Sequence, residues 1–285
     1  MEQGIKTKVE QIGKPLKEWD ISINYGIKTG FNEAFIIDGA TKDKLIKKSP
    51  KSVDLIRPIL RGRDIKRYKI DFADLWLLYI PWHFPLHHDS TIIGASEKAE
   101  LEFQKQYPDI YNYLAQYKEQ LSNRNKSETG IRYEWYALQR WGANYTDDFS
   151  KQKIIYPNMT KFLPFYYDDK GYFQNDKSFM ITGKHIAYLI SFLNSSLFKY
   201  SFLDNFPELQ GGTRELRKIF FDKIPVKEID DSMNELFLSK VKKVQHLKEQ
   251  GINSKEIEIE LDNMIFNLYN LTEEEKREIG FFEII

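Results

Sequence analysis

With 285 residues, 41% of them hydrophobic and 15% aromatic, the chain is long enough to bury a substantial core and too apolar to be disordered. It has no cysteine, which excludes disulfides and thiolate metal sites and fits a reducing, cytoplasmic setting. Net charge is zero, but residues 1–70 carry 16 Lys/Arg against 9 Asp/Glu whereas residues 226–285 carry 8 against 14, so one end could face a polyanion and the other could not.

Residues 1–20 read as a connector, because Gly4, Gly13 and Pro15 punctuate them and their apolar residues keep no sustained period. No apolar segment of a signal peptide is present there, and no later run is apolar enough to cross a bilayer, so no membrane partner is expected. Ile21, Ile23 and Tyr25 alternate at the strand period. After a loop from Gly26 to Gly30, Ala34-Phe35-Ile36-Ile37 is expected to resume as a second, more buried strand. A short helix over 41–48, stopped by Pro50, and a helical turn over 53–56 follow. Leu75-Trp76-Leu77-Leu78-Tyr79-Ile80 is a continuous apolar run, the pattern of a central strand covered on both faces.

Ser96 can cap a helix beginning at Glu97, with Pro108 placed to restart it and Ile110, Leu114, Tyr117 and Leu121 recurring every three or four residues. Residues 122–130 are Ser/Asn-rich and read as a surface loop. Residues 153–157 read as a strand, and residues 162–167 with Tyr172 and Phe173 as a hairpin turning at 168–171. Another strand is expected over 179–181, then a largely buried helix or helix pair over 185–204. Beyond Pro225 only helices remain: one ends at Gly251, a second starts at Ser254, and Thr272 with Glu275 forms a capping box for a third. The expected fold is α+β (mixed α/β), a mixed sheet flanked by helices and followed by a C-terminal helical hairpin. Its boundaries are a connector (1–20), an α/β domain (21–226) and a helical extension (227–285).

Several chemistries are not supported. The chain has no Gly-x-Gly-x-x-Gly, no P-loop and no Gly-x-Ser-x-Gly elbow. His83, His87, His88 and Asp89 cluster, but Pro85 prevents the helix that would bring 83 and 87 onto one face, so no metal site is assigned. Asp168-Asp169-Lys170 has the Asp-x-Lys spacing of a metal-dependent nuclease, yet it also has the composition of an ordinary turn. No catalytic residue is assigned, and no cofactor is expected in this segment.

What the sequence does offer is basic and amide-bearing residues interleaved with aromatics on loops. Lysine and arginine suit phosphates and guanine edges, asparagine and glutamine suit adenine, and glycine lets a loop enter a groove. The contact candidates are Lys28, Thr29 and Asn32; Arg61, Arg63, Lys66 and Arg67; Arg140 and Trp141; Asn158 and Lys161; and Gln210, Gly211, Gly212, Thr213 and Arg214. Residues 25–68 should form one wall of a groove, with Trp141, Lys161 and the 211–214 loop as the other. Solvated, salt-bridged surface loops are the alternative for each.

Taken in order, Gly26-Ile27-Lys28-Thr29-Gly30-Phe31-Asn32 and Arg57-Pro58-Ile59-Leu60-Arg61-Gly62-Arg63-Asp64-Ile65-Lys66-Arg67-Tyr68 resemble the TaqI-like C-terminal specificity domain. That domain is the target-recognition part of fused type II restriction-modification enzymes and related adenine-specific DNA methyltransferases. The resemblance continues through Lys153-Ile154-Ile155-Tyr156-Pro157, Leu189-Ile190-Ser191-Phe192-Leu193-Asn194-Ser195 and Ile224-Pro225-Val226. It implies a domain that holds double-stranded DNA against an upstream methyltransferase domain of the same polypeptide, which uses S-adenosylmethionine to methylate a flipped adenine. The Asn/Asp-Pro-Pro-Tyr/Phe motif of such methyltransferases is missing here, its nearest approach being Asn205-Phe206-Pro207-Glu208. The catalytic half is therefore expected outside this chain. A nuclease using Asp168, Lys170 or the 83–89 cluster, and a protein-interaction module built on the acidic tail, are the rival readings.

Overall fold

The segments with strand periodicity assemble into two four-stranded sheets, seen in a computed structural model that describes residues 2–161 and 163–281. The strands are β1 (Ile21–Tyr25), β2 (Ile36–Asp38), β3 (Ile56–Leu60), β4 (Leu75–Leu78), β5 (Lys153–Pro157), β6 (Tyr166–Asp168), β7 (Phe173–Gln174) and β8 (Ser178–Gly183). Sheet one has the order β6-β5-β8-β1 and is antiparallel throughout. Sheet two has the order β7-β3-β4-β2, with β7 parallel to β3 and the other pairs antiparallel. The mixed α/β class is as expected, and β4 is a central strand with Leu77 and Leu78 fully buried.

Each sheet carries its own core. Sheet two packs against Gly39–Lys48, Glu97–Gln106 and Pro108–Ala115 through Phe35, Leu77, Phe103, Ile110, Leu114 and Tyr136. Sheet one packs against Ile186–Leu193 and Ser196–Phe202, and the C-terminal helices Asp231–Glu249 and Lys255–Leu268 share that core through Phe237, Val241, Leu261 and Ile265. Those two helices form the expected hairpin. Gly251, at φ 71°, lets the Ile252 N–H reach back to the Leu247 carbonyl at 2.9 Å, which closes the first helix. The capping residues also act as read: Ser96 accepts from the Ala99 N–H, and Thr272 and Glu275 complete their box. Among the described residues no helix is long and apolar enough to cross a membrane.

Four local expectations are corrected. The connector contains a helix, Glu2–Ile12, because Ile5 and Val9, one turn apart, bury completely in the first core despite Gly4 and Gly13. Ala34 and Phe35 belong to a single helical turn, Asn32–Phe35, ahead of β2. The 122–130 segment is anchored inward by Arg124, which is 8% exposed. Finally, 168–171 is no hairpin turn, since β6 and β7 lie in different sheets; Phe162 lies outside the described residues. The cause is the fully buried Asp168, which accepts the N–H groups of Lys170 and Tyr172 at 2.9 Å each and pairs with Lys153 Nζ at 2.7 Å. The turn is thereby tied to sheet one while Phe173 runs on beside Ile59. Burial pulls the Lys153 ammonium below its usual pKa, against the opposing pull of Asp168.

The sheets are joined by the turn at 174–178. Ile27 N–H donates to the Gln174 carbonyl (2.8 Å), Gly26 N–H to Ser178 (3.0 Å), Asn158 N–H to Lys177 (2.8 Å), and Asn175 N–H to Leu60 (3.0 Å). Beside it, Leu60, Ile65, Ile155 and Tyr166 form a small apolar cluster drawn from both sheets.

Replacing Asp168 with Ala strands the buried Lys153 ammonium and is expected to cost about 3–5 kcal/mol in urea unfolding, whereas Lys153→Met with Asp168→Leu should cost less. A Cβ on Gly26 would lie 2.2 Å from the carbonyl oxygens of both Gln174 and Asn175. Gly26→Ala should therefore destabilise by about 1–3 kcal/mol, read in the same assay.

Candidate nucleic-acid interface

The 174–178 turn closes one end of a cleft of about 460 Å³. Arg61, Gly62, Arg63, Ile65 and Lys66 line one side, Pro157, Asn158, Met159, Thr160 and Pro164 the other, and Asn175 and Lys177 the end. No carboxylate lines it. The first side is shaped by Asp64, whose carboxylate accepts from the Arg61 backbone N–H (2.8 Å), Nε (2.9 Å) and Nη2 (2.7 Å). These bonds fold Gly62–Asp64 into a tight 3-10 turn and raise the Arg61 guanidinium above its ordinary pKa. Arg61 thus holds the turn, while Arg63 and Lys66 stand exposed beyond it. Gly62 lets the turn approach the clasp, since a Cβ there would sit 3.1 Å from the Lys177 carbonyl oxygen.

The opposite side is continuous with the glycine hairpin. Thr160 pairs with Arg214 and Met159 with Glu215, and the Glu208–Arg214 bridge adds a third segment. Gln210–Gly212 forms the exposed tip, with Gly211 and Gly212 both at φ 75°, and the Thr213 carbonyl accepts from the Leu209 N–H at 2.6 Å. Arg214 is held by the Phe206 carbonyl (3.0 Å), Asp204 (3.1 Å) and Glu208 (3.3 Å), so it braces the hairpin. Lys161 follows Thr160 and is exposed, and Asn158 is fixed through its backbone to Lys177 and Leu216.

The Gly26–Gly30 loop joins the same belt through Ile27, which bridges to Asn175, and Lys28, which forms a two-bond ladder with Arg140. Lys28 and Asn32 are exposed, whereas Thr29 is buried and donates its hydroxyl to Asn32 Oδ1 at 2.6 Å. Arg140 is exposed but lies 3.3 Å from Glu128. Beneath the loop, Arg124 donates to the carbonyls of Thr29, Trp135 and Ala137 and packs over Phe35. Burial lowers its pKa to about 10.

Two sequence candidates are elsewhere. Arg67 is 8% exposed, ion-paired with Glu258 at 2.7 Å and bonded to the Asn194 carbonyl at 2.6 Å, so it ties the loop to the C-terminal hairpin and does not face the cleft. Trp141 packs at the edge of the second core, its carbonyl accepts from Tyr79, and it lines a separate cleft with His87 and His88. Of the second wall expected from Trp141, Lys161 and the 211–214 loop, none lines the cleft itself: that side is made of Pro157, Asn158, Met159, Thr160 and Pro164, with Lys161 next along the chain and Arg214 paired to Thr160. Sequence reasoning missed Asn175 and Lys177, whose only signal was the turn composition of Asn175-Asp176-Lys177 between two apolar runs. The histidine cluster is structural at His83, whose Nδ1 and backbone N–H both meet Glu134, at 3.0 and 2.7 Å.

Residues 57–226 match the model of the TaqI-like C-terminal specificity domain. The type II methyltransferase M.MjaIV of Methanocaldococcus jannaschii is 23% identical over 274 residues, an alignment covering 93% of this chain and 84% of that protein. Among solved structures, the type IIG restriction endonuclease BpuSI superposes over 94% of this chain and 33% of its own, with a TM-score of 0.52 and 16% identity. The type IIL restriction-modification enzyme MmeI, solved in complex with DNA, does so over 93% and 36%, with a TM-score of 0.59 and 11% identity. The chain spans about a third of the length of each of these two enzymes, with which it shares a fold. The matched segment takes in more than half of the chain and both walls of the basic cleft, and the chain belongs to the family of TaqI-like C-terminal specificity domains.

Proposed function

We propose that this chain is the DNA target-recognition part of a restriction-modification enzyme, and that double-stranded DNA lies along the cleft between 61–66 and 157–161. The observation that carries this reading is a cleft free of carboxylates whose cations Arg63, Lys66 and Lys177 have no ion-pair partner among the described residues. Unpaired cations on one concave surface repel one another and favour a polyanion. Lys161 and Lys28, on the adjoining segments and likewise without an ion-pair partner among the described residues, extend the field. Phosphate contacts from these side chains set the register, and Gln210, exposed at the tip of the adjoining hairpin, is an amide able to pair with a base edge.

The methyl transfer belongs, on this reading, to a separate catalytic domain of a cytoplasmic adenine-specific methyltransferase that uses S-adenosylmethionine. Asn205-Phe206-Pro207-Glu208 is a structural turn, with Phe206 fully buried and the Pro207 carbonyl accepting from Glu215 at 3.1 Å. Against the nuclease alternative, Asp168 is fully buried and engaged by Lys153 and two backbone N–H groups.

Fluorescence anisotropy with a labelled duplex across a salt series tests the proposal. Binding should weaken steeply with salt, and Arg63→Glu with Lys177→Glu should abolish it near physiological salt. The single replacements Arg63→Ala and Lys177→Ala should each lower the slope of log K against log salt by about 1. Binding by the double variant equal to the parent chain's would rule the cleft out.

A further inference from the structure

The cleft carries cations, but carbon also lines its two sides: Ile65 on one, and Pro157, Met159 and Pro164 on the other. Of these Met159 is the exposed one, at 53%. Its backbone is fixed on both sides, by Asn158 bonding to Lys177 and Leu216 and by the ladder of Met159 and Thr160 with Glu215 and Arg214. A thioether on a fixed strand among unpaired cations gains nothing from phosphate. In the major groove of duplex DNA the exposed apolar group at a base edge is the thymine 5-methyl. Resting on the DNA-recognition reading above, we propose that Met159 is a specificity-determining residue that contacts the 5-methyl group of a thymine in the target site. The cations then position the duplex, and Met159 discriminates one A·T pair.

Phosphate and base contacts leave different signatures, and the full chain can be tested for both. Selection from a randomised duplex library with the parent chain defines the preferred site, and the same selection is repeated with Met159→Ala and Met159→Leu. The Ala variant should lose preference for A·T at one position by about four-fold, equivalent to the roughly 0.8 kcal/mol of one buried methyl group, with an unchanged salt slope. The Leu variant should keep the preference. Replacing that thymine by deoxyuridine should weaken the parent chain by the same factor and leave Met159→Ala unaffected. An unchanged selection profile in Met159→Ala, or no position sensitive to deoxyuridine, overturns the inference while salt-dependent binding remains. A parent chain with no salt-dependent binding overturns the DNA reading itself. Because Met159 is more than half exposed, an unchanged unfolding midpoint is expected to confirm that Met159→Ala folds.

Discussion

The turn at 174–178 is the constraint on which the rest of the molecule depends. It links a strand of sheet two to a strand of sheet one, and its backbone also bonds the 26–27 loop, the end of β3 and the start of the 158–160 segment. Segments far apart in sequence converge on five residues, so the cleft is set by backbone hydrogen bonds, whose geometry is the same whatever side chains the loops carry. A specificity domain needs such an arrangement. Its base-reading side chains can vary while the scaffold that aims them is kept.

The cations divide into two populations with different physical roles. Arg61, Arg67, Arg124 and Arg214 are engaged by carboxylates or backbone carbonyls and hold the loops in place. Arg63, Lys66 and Lys177 have no such partner among the described residues and line the same cleft. The planar guanidinium, with its several fixed donors, suits the first task, and three of the four bracing residues reach acceptors on more than one residue. The C-terminal hairpin contributes to this order through Glu258 and shares the first core.

Much of the local structure was legible in the sequence, because periodicity, capping residues and glycine stops are short-range signals. The central strand, the helices after Ser96 and Pro108, and the C-terminal hairpin all follow from them. Strand partnership was not legible: β6 and β7 look like one hairpin until the buried Lys153–Asp168 pair assigns them to different sheets. Site residues were read by charge and loop position, and of these Arg61, Arg63, Lys66 and Asn158 come together at one cleft. The same criteria could not separate them from Arg67, whose acceptor carbonyl lies 127 residues away, or from Arg214, which Phe206, Asp204 and Glu208 hold in place. Lys177 escaped because its place in the cleft is set by a tertiary clasp that leaves no periodic trace.

The central claim is that DNA is held at the junction built around this clasp. Hydrogen–deuterium exchange of the chain with and without duplex DNA tests it most directly, because backbone protection reports location without mutation. The account predicts slower exchange on DNA binding in peptides covering 61–66, 157–161 and 174–178, with no change in Asp231–Glu249 or Lys255–Leu268. Protection confined to the acidic helical hairpin, or its absence from all three cleft segments in the presence of bound DNA, would contradict it.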